Sequence, residues 1–212
     1  SKYGLKYIQP EVTSAVIFPD DKSMLLYRDV DRTCATIEKF SAHDAEAYRR
    51  FYEWSKPILG MLLEGMFSPP PPFGAMVSML EQSEMGQEVL RYMLVSGADI
   101  AEEWFESDEV KVLFTKTAAE PMMAPYVKGT GIFLLMLVPM AHEYPLSIAE
   151  GGSGALTDKL ELCLKDLGVT VRTSSTIKGI KIAGGEAKGV VLDTGEEIVA
   201  KKAVVSNLHV KQ

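Results

Sequence analysis

The run Gly151–Asn207, GGSGALTDKLELCLKDLGVTVRTSSTIKGIKIAGGEAKGVVLDTGEEIVAKKAVVSN, decides the fold of this 212-residue chain. It opens on a glycine cluster. Leu156, Leu160, Cys163, Leu164 and Leu167 follow at three- and four-residue spacing, which predicts a helix with one buried face and a buried thiol at Cys163. Gly168 falls where a helix must end on a positive φ. Strands are predicted next. Val169–Arg172 is short and β-branched. Thr176–Ile182 sets Ile180 and Ile182 opposite its lysines, as a half-buried strand does. Ala183–Glu186 reads as a tight turn, Lys188–Leu192 as the returning strand and Asp193–Glu197 as a second turn. Residues 197–200 and 203–207 are predicted to close the run as strands.

This order of glycine pair, helix, G-V-x-V strand, T-x-I-x-x-I strand, hairpin and final V-V-S-N resembles the FAD-dependent oxidoreductases of the phytoene desaturase and amine oxidase type. It is most similar to the bacterial-type phytoene desaturases. The upstream segments FPDDKSMLLYRDVDRT, FSAHDAEAYRRFYEW and WFESDEVKVLF resemble that family too, so the likeness covers nearly the whole chain. It implies an α/β (α+β) fold: a substrate domain of helices and antiparallel strands plus part of an FAD-binding domain. Residues 1–8 would be a remnant of a cofactor-domain connection, 9–143 the substrate domain and 144–212 the helix and strands of the FAD-binding domain.

The resemblance also implies a cofactor, FAD, and an apolar small-molecule substrate. In the family, the strand matching TIKGI carries a valine whose backbone meets the adenine. Ile177 stands there in this chain, a departure that a backbone contact tolerates. Gly152 and Gly154 would open the helix where the chain re-enters the cofactor domain, although packing and turn roles explain them equally well. Members of the family begin with strand, G-x-G-x-x-G turn and helix, which hold the pyrophosphate. Gly151-Gly152-Ser153-Gly154 is the nearest string here, and EYPLSIAE before it does not read as a buried strand. The expectation is therefore an internal piece of a longer protein that alone binds FAD weakly and self-associates through uncovered apolar surface. A non-enzymatic alternative is a lipid-binding or interaction protein resembling the Rab GDP-dissociation inhibitors.

Composition narrows the partners. At 47% hydrophobic and 24% charged residues the chain is globular, and a net charge of −7 argues against a nucleic-acid partner. The charge is uneven, with 22 acidic and 13 basic residues up to Glu150 and 7 and 9 beyond it, which suggests a boundary there. Cys34 and Cys163 give no disulfide framework and suit a reducing cytoplasm. Peripheral membrane contact stays open. The longest apolar run, Gly131–Ala141, is too short to span a bilayer and reads as a buried core helix.

Outward from Gly151, the pattern predicts short helices and one hairpin. Thr13–Phe18 and Ser23–Tyr27 are strand-like around a PDDK turn. Asp29 or Asp31 caps a helix that follows. Ser41 and Asp44 have the spacing of a capping box, and so do Asp99 and Glu102. Pro57 is expected to kink or interrupt the helix after Ser41. Ten of the eleven methionines lie between Met61 and Met140. Methionine fills cores and also lines adaptable apolar cavities, and both readings stand. The six carboxylates from Asp99 to Glu109 read as solvated helix faces and caps. His43 reads as part of a cap. His142 and His209 lack partners at ligand spacing, so no metal site is expected. No nucleophile and base stand in a motif, and no catalytic residue is assigned.

Overall fold

The structure, a computed structural model, describes residues 2–208; Ser1 and His209 lie outside them. The fold mixes helices with small antiparallel sheets. The chain divides into two units. One is Tyr7–Ile148, and the other comprises the described residues on either side of it.

The larger unit begins with β1 (Tyr7–Ile8) and a hairpin of β2 (Val12–Ile17) and β3 (Ser23–Tyr27), paired antiparallel from Val12 opposite Tyr27 to Ile17 opposite Ser23. The PDDK turn forms as expected, closed by Phe18 N–H on the Lys22 carbonyl at 2.9 Å. Asp29 caps α1 (Val30–Ile37) by accepting from Arg32 N–H. α1 is then tied to β3 through threonines: Thr33 Oγ1 donates to the Tyr27 carbonyl and Thr36 Oγ1 to that of Leu25.

α2 (Ala42–Met66) is one continuous 25-residue helix that contains Pro57, so the chain is not interrupted there. Proline removes one N–H and crowds the carbonyl four residues back, at a cost of about 3 kcal/mol. Burial of Phe51, Ser55, Ile58 and Leu59 on both sides of the proline offsets that cost. Four short helices follow: α3 (Phe73–Leu80), α4 (Glu84–Tyr92), α5 (Gly97–Trp104) and α6 (Asp108–Ala119). α7 (Gly131–Glu143) is the apolar run, buried at Leu134, Leu135 and Val138 and packed against α2 as a core helix.

Two capping expectations change. The capping box at α5 is Ser96 with Asp99, not Asp99 with Glu102; Ser96 accepts from Asp99 N–H while Asp99 returns to Ser96 N–H. At α2 only half a box forms. Ser41 accepts from Asp44 N–H, but the Asp44 carboxylate turns away and accepts from Glu106 N–H at 3.0 Å and Ser107 N–H at 2.8 Å. A fully buried carboxylate thereby joins the start of α2 to the α5–α6 loop.

The core of this unit is aromatic at its centre. Phe51 meets Phe114 edge-on at 4.8 Å and Trp104 at 5.0 Å, with Trp54 and Tyr92 around them. Such tilted and edge-on pairs place ring edges on ring faces, the arrangement that aromatic quadrupoles favour.

In the second unit, β4 (Ile148–Ala149), which starts at the boundary, leads through Gly151 and Gly152 into α8 (Ser153–Asp166). Gly168 ends the helix at φ +73°, as expected. β5 (Ile177–Ala183), β6 (Glu186–Leu192) and β7 (Glu197–Val199) form an antiparallel sheet in that order. Gly184 and Gly185, at φ +61° and +80°, make the tight turn between β5 and β6, a left-handed pair that only glycine adopts without strain.

Five expectations for this unit are corrected. Val169–Arg172 and residues 203–207 are not strands. No residue of α8 is buried, and β5 is exposed along its whole length. Cys163 is half-buried rather than enclosed. Periodicity marks a face able to be buried; burial needs a partner surface, and here Leu160 stays 55% exposed.

Candidate functional site

Gly152, Gly154 and Ile177 all lie in the second unit. Gly152 is the N-cap of α8 at φ +87° and ψ −178°, where a side chain would be strained. No atom lies within 4 Å of a Cβ built on Gly152 or Gly154, so the space over the helix start is open. No side chain caps the first N–H groups of α8. Helix-start N–H groups behind a glycine turn are the donor set that suits a phosphate oxygen. The strand–turn–helix order is present in short form, because β4 is only two residues long. Ile177 pairs with Leu192 in the sheet and is 41% exposed. The residues present therefore leave room for a phosphate group at the helix start.

The larger unit carries two recesses beside α7. One is a mainly apolar groove of about 300 Å³ between the hairpin and the end of α7, walled by Leu26, Leu137, Met140, Ala141 and Leu146, with Thr13, Ser14, Ser147 and the Glu120 carboxylate at its polar edge. The other is a polar cleft of about 420 Å³ where Glu11, Arg28, Asp29 and Arg32 stand around His142.

His142 is the residue that sequence spacing missed, because its partners lie 94 and 114 positions away. Its Nδ1 is 3.0 Å from the Arg28 carbonyl, which can only accept, so Nδ1 carries the proton. Its Nε2, 2.9 Å from the Tyr48 hydroxyl, then accepts. Burial pushes the His142 pKa below its ordinary value and that of Tyr48 well above. Both ring nitrogens are committed and both groups are neutral at pH 7. The pair joins α2, α7 and the β3–α1 junction, with both ring nitrogens of His142 occupied. Beside it the Tyr52 hydroxyl donates to Glu143, whose carboxyl Lys56 and Tyr52 hold below the usual range.

The acidic run behaves as solvated caps and ion pairs. Lys128 and then Ser96 hold the Asp99 carboxyl well below the carboxylate range, while Glu102 pairs with Lys111 and Glu103 with Arg91. Among the described residues no group of three His, Cys, Asp or Glu side chains could hold a metal ion. Nor is any described helix long and apolar enough to cross a membrane.

No protein-family model matches the chain. It is 27% identical to the pyridine nucleotide-disulfide oxidoreductase domain-containing protein 2 of Rattus norvegicus, over 93% of this chain and 39% of the relative. It is 25% identical to one of the subunits of the limonene dehydrogenase of Castellaniella defragrans, over 96% and 38%. To the 4,4′-diaponeurosporene oxygenase of Staphylococcus aureus it is 38% identical, over 91% and 38%. The chain is related to oxidoreductases. It spans about two fifths of the length of these curated relatives.

Proposed function

We propose that the chain belongs to a flavin-dependent oxidoreductase that removes hydrogen from an apolar, hydrocarbon-like substrate. The observation that carries this reading is the apolar groove between the β2–β3 hairpin and α7. The names of two relatives support it, since limonene and 4,4′-diaponeurosporene are hydrocarbons. Bound FAD would accept a hydride from one of two adjacent carbons, the second hydrogen leaving as a proton.

This chain's residues would do the binding. Residues 9–143 would form the substrate domain, where Leu26, Leu137 and Met140 exclude water from the hydrocarbon. Residues 144–212 would belong to the FAD-binding domain, with the Ile177 backbone toward the adenine and Gly152 and Gly154 leaving room at the start of α8. Alone, the 212-residue chain would hold FAD only near the millimolar level, about −4 kcal/mol, because a single glycine turn before α8 is all it offers the pyrophosphate.

Two measurements test this. The protein as its cell makes it is purified and its visible spectrum recorded without oxygen. A flavin absorption that bleaches on adding a hydrocarbon such as limonene supports the reading; colourless protein, or flavin that no hydrocarbon bleaches, overturns it. Equilibrium dialysis of the 212-residue chain against FAD tests the residue assignment. Weak binding abolished by Gly152→Val is expected, and stoichiometric yellow protein at micromolar FAD would show that the start of α8 has been undervalued.

A further inference from the structure

The β2–β3 hairpin has an irregularity, and it sits at the groove beside α7. Val12 lies opposite Tyr27 and Ser14 opposite Leu26, so two steps along β2 match one step along β3. Thr13 is the extra residue, which makes a β-bulge. On a regular strand neighbouring side chains point to opposite faces. Thr13 and Ser14 are neighbours, yet both line the same groove. The bulge accounts for that, since an inserted residue re-aims a side chain.

The two hydroxyls are left with opposite capacities. Thr13 Oγ1 donates to the Leu26 carbonyl at 3.0 Å, which uses its proton and leaves its lone pairs. Ser14 Oγ accepts from Lys116 Nζ of α6 at 2.7 Å, and among the described residues its own proton meets no acceptor. The ammonium polarises that hydroxyl and strengthens it as a donor. Thr13 therefore offers an acceptor and Ser14 a donor, both half-buried at the edge of one groove. The other polar groups of that edge are occupied. Glu120 pairs with Lys116 at 2.6 Å, and Ser147 Oγ donates to the Pro145 carbonyl and accepts from Gln9.

An alcohol hydroxyl both donates and accepts, so one such group satisfies Thr13 and Ser14 together. A carbonyl oxygen can use Ser14 alone, and a hydrocarbon uses neither.

Resting on the reading of this groove as the substrate site, we propose that Thr13 and Ser14 are specificity-determining residues that bind a hydroxyl group. The substrate is then an apolar molecule that ends in an alcohol. Its hydrocarbon body lies against Leu26, Leu137 and Met140, and its hydroxyl donates to Thr13 Oγ1 and accepts from Ser14 Oγ.

The test uses two ligands of one skeleton, butylbenzene and 4-phenylbutan-1-ol. Each is titrated into the 212-residue chain carrying carbon-13 at its methionine methyls. Met140 lies in the groove wall, so the shift of its methyl signal reports binding at this site. Thr13→Val and Ser14→Ala each remove one partner of the hydroxyl. Each is expected to weaken the alcohol about three- to tenfold, the worth of one hydrogen bond, and to leave butylbenzene within about twofold. The butylbenzene titration also shows that the groove still forms, because Thr13→Val removes the bond to the Leu26 carbonyl as well. Alcohol and hydrocarbon weakening by the same factor, or an alcohol that neither variant weakens, would overturn the proposal while the groove still binds. Weakening by Ser14→Ala alone would point to a carbonyl and overturn the hydroxyl assignment. If neither ligand moves Met140 in wild type, the reading of the groove as the substrate site fails, and this inference with it.

Discussion

Among the described residues, every buried apolar side chain lies in the unit Tyr7–Ile148 except Leu192 of β6, which is 2% exposed. The two units are nonetheless patterned equally well in sequence. α8 carries leucines at helical spacing as regular as those of α2, and β5 carries isoleucines on alternate residues. What separates them is covering surface. In the larger unit α2 is faced by α1, α5 and α7, so its apolar stripe leaves water. In the smaller unit Leu156, Leu160, Leu167, Ile180 and Ile182 remain in water. Apolar area removed from water stabilises by about 25 cal/mol per Å², and area left exposed contributes nothing.

The comparison breaks most visibly through truncation of matched apolar residues. Phe51→Ala, at the centre of the aromatic cluster, is expected to cost about 3–5 kcal/mol. Leu160→Ala on the exposed face of α8 should change stability by about 0.5 kcal/mol or less. Both tryptophans, Trp54 and Trp104, lie in the larger unit, so their fluorescence during urea unfolding reports that unit, and far-UV circular dichroism reports the whole chain. A Leu160→Ala cost as large as that of Phe51→Ala would show that α8 is covered in solution.

A smaller effect is expected at Asp44. Asp44→Ala leaves the N–H groups of Glu106 and Ser107 without their acceptor and should cost about 2–3 kcal/mol in the fluorescence-monitored transition. If the transition does not move, the carboxylate is not what joins α2 to the α5–α6 loop.

The smallest expected effect is a pH dependence confined to the larger unit. Burial sets the folded pKa of His142 below the ordinary value of 6.5. As pH falls below 6.5 the unfolded chain binds a proton that the folded chain resists, so the stability contribution is complete above 6.5 and drains away below it. Asp29 and Glu143 face the ring and favour its charged form, which moderates the loss, while Tyr48 and the Arg28 carbonyl occupy its nitrogens. Urea midpoints measured from about pH 7.5 to about pH 5 should fall in wild type and fall less in His142→Gln. Equal slopes in the two proteins would remove His142 from the account.

Local chemistry was legible wherever partners are near in sequence. The hairpin around PDDK, an aspartate cap narrowed to Asp29 or Asp31, the Gly184–Gly185 turn and the Gly168 helix end all depend on residues within a few positions of each other. That α2 continues past Pro57 was not legible, because the proline's cost is local and the compensating burial against α7 is not. The box at Ser96 was displaced because two overlapping segments, starting at Ser96 and at Asp99, offer similar spacing, and only serine's hydroxyl placed outside the helix could cap it. Of the site residues, Gly152 was legible as a turn glycine. His142 was not, because a histidine's role is set by what its two nitrogens meet, and Tyr48 and Arg28 are brought to it by three separate elements.

The sequence by itself determined the order and nearly all the types of the elements, the chemistry of the turns and the uneven placing of methionine, since those follow from backbone propensity and short-range hydrogen bonding. Only the tertiary structure decided which apolar faces are buried, where the Asp44 carboxylate and the His142 ring find their partners, and which side chains line the groove at α7. Burial and long-range hydrogen bonds depend on surfaces meeting, and a one-dimensional pattern specifies a surface without specifying what lies against it.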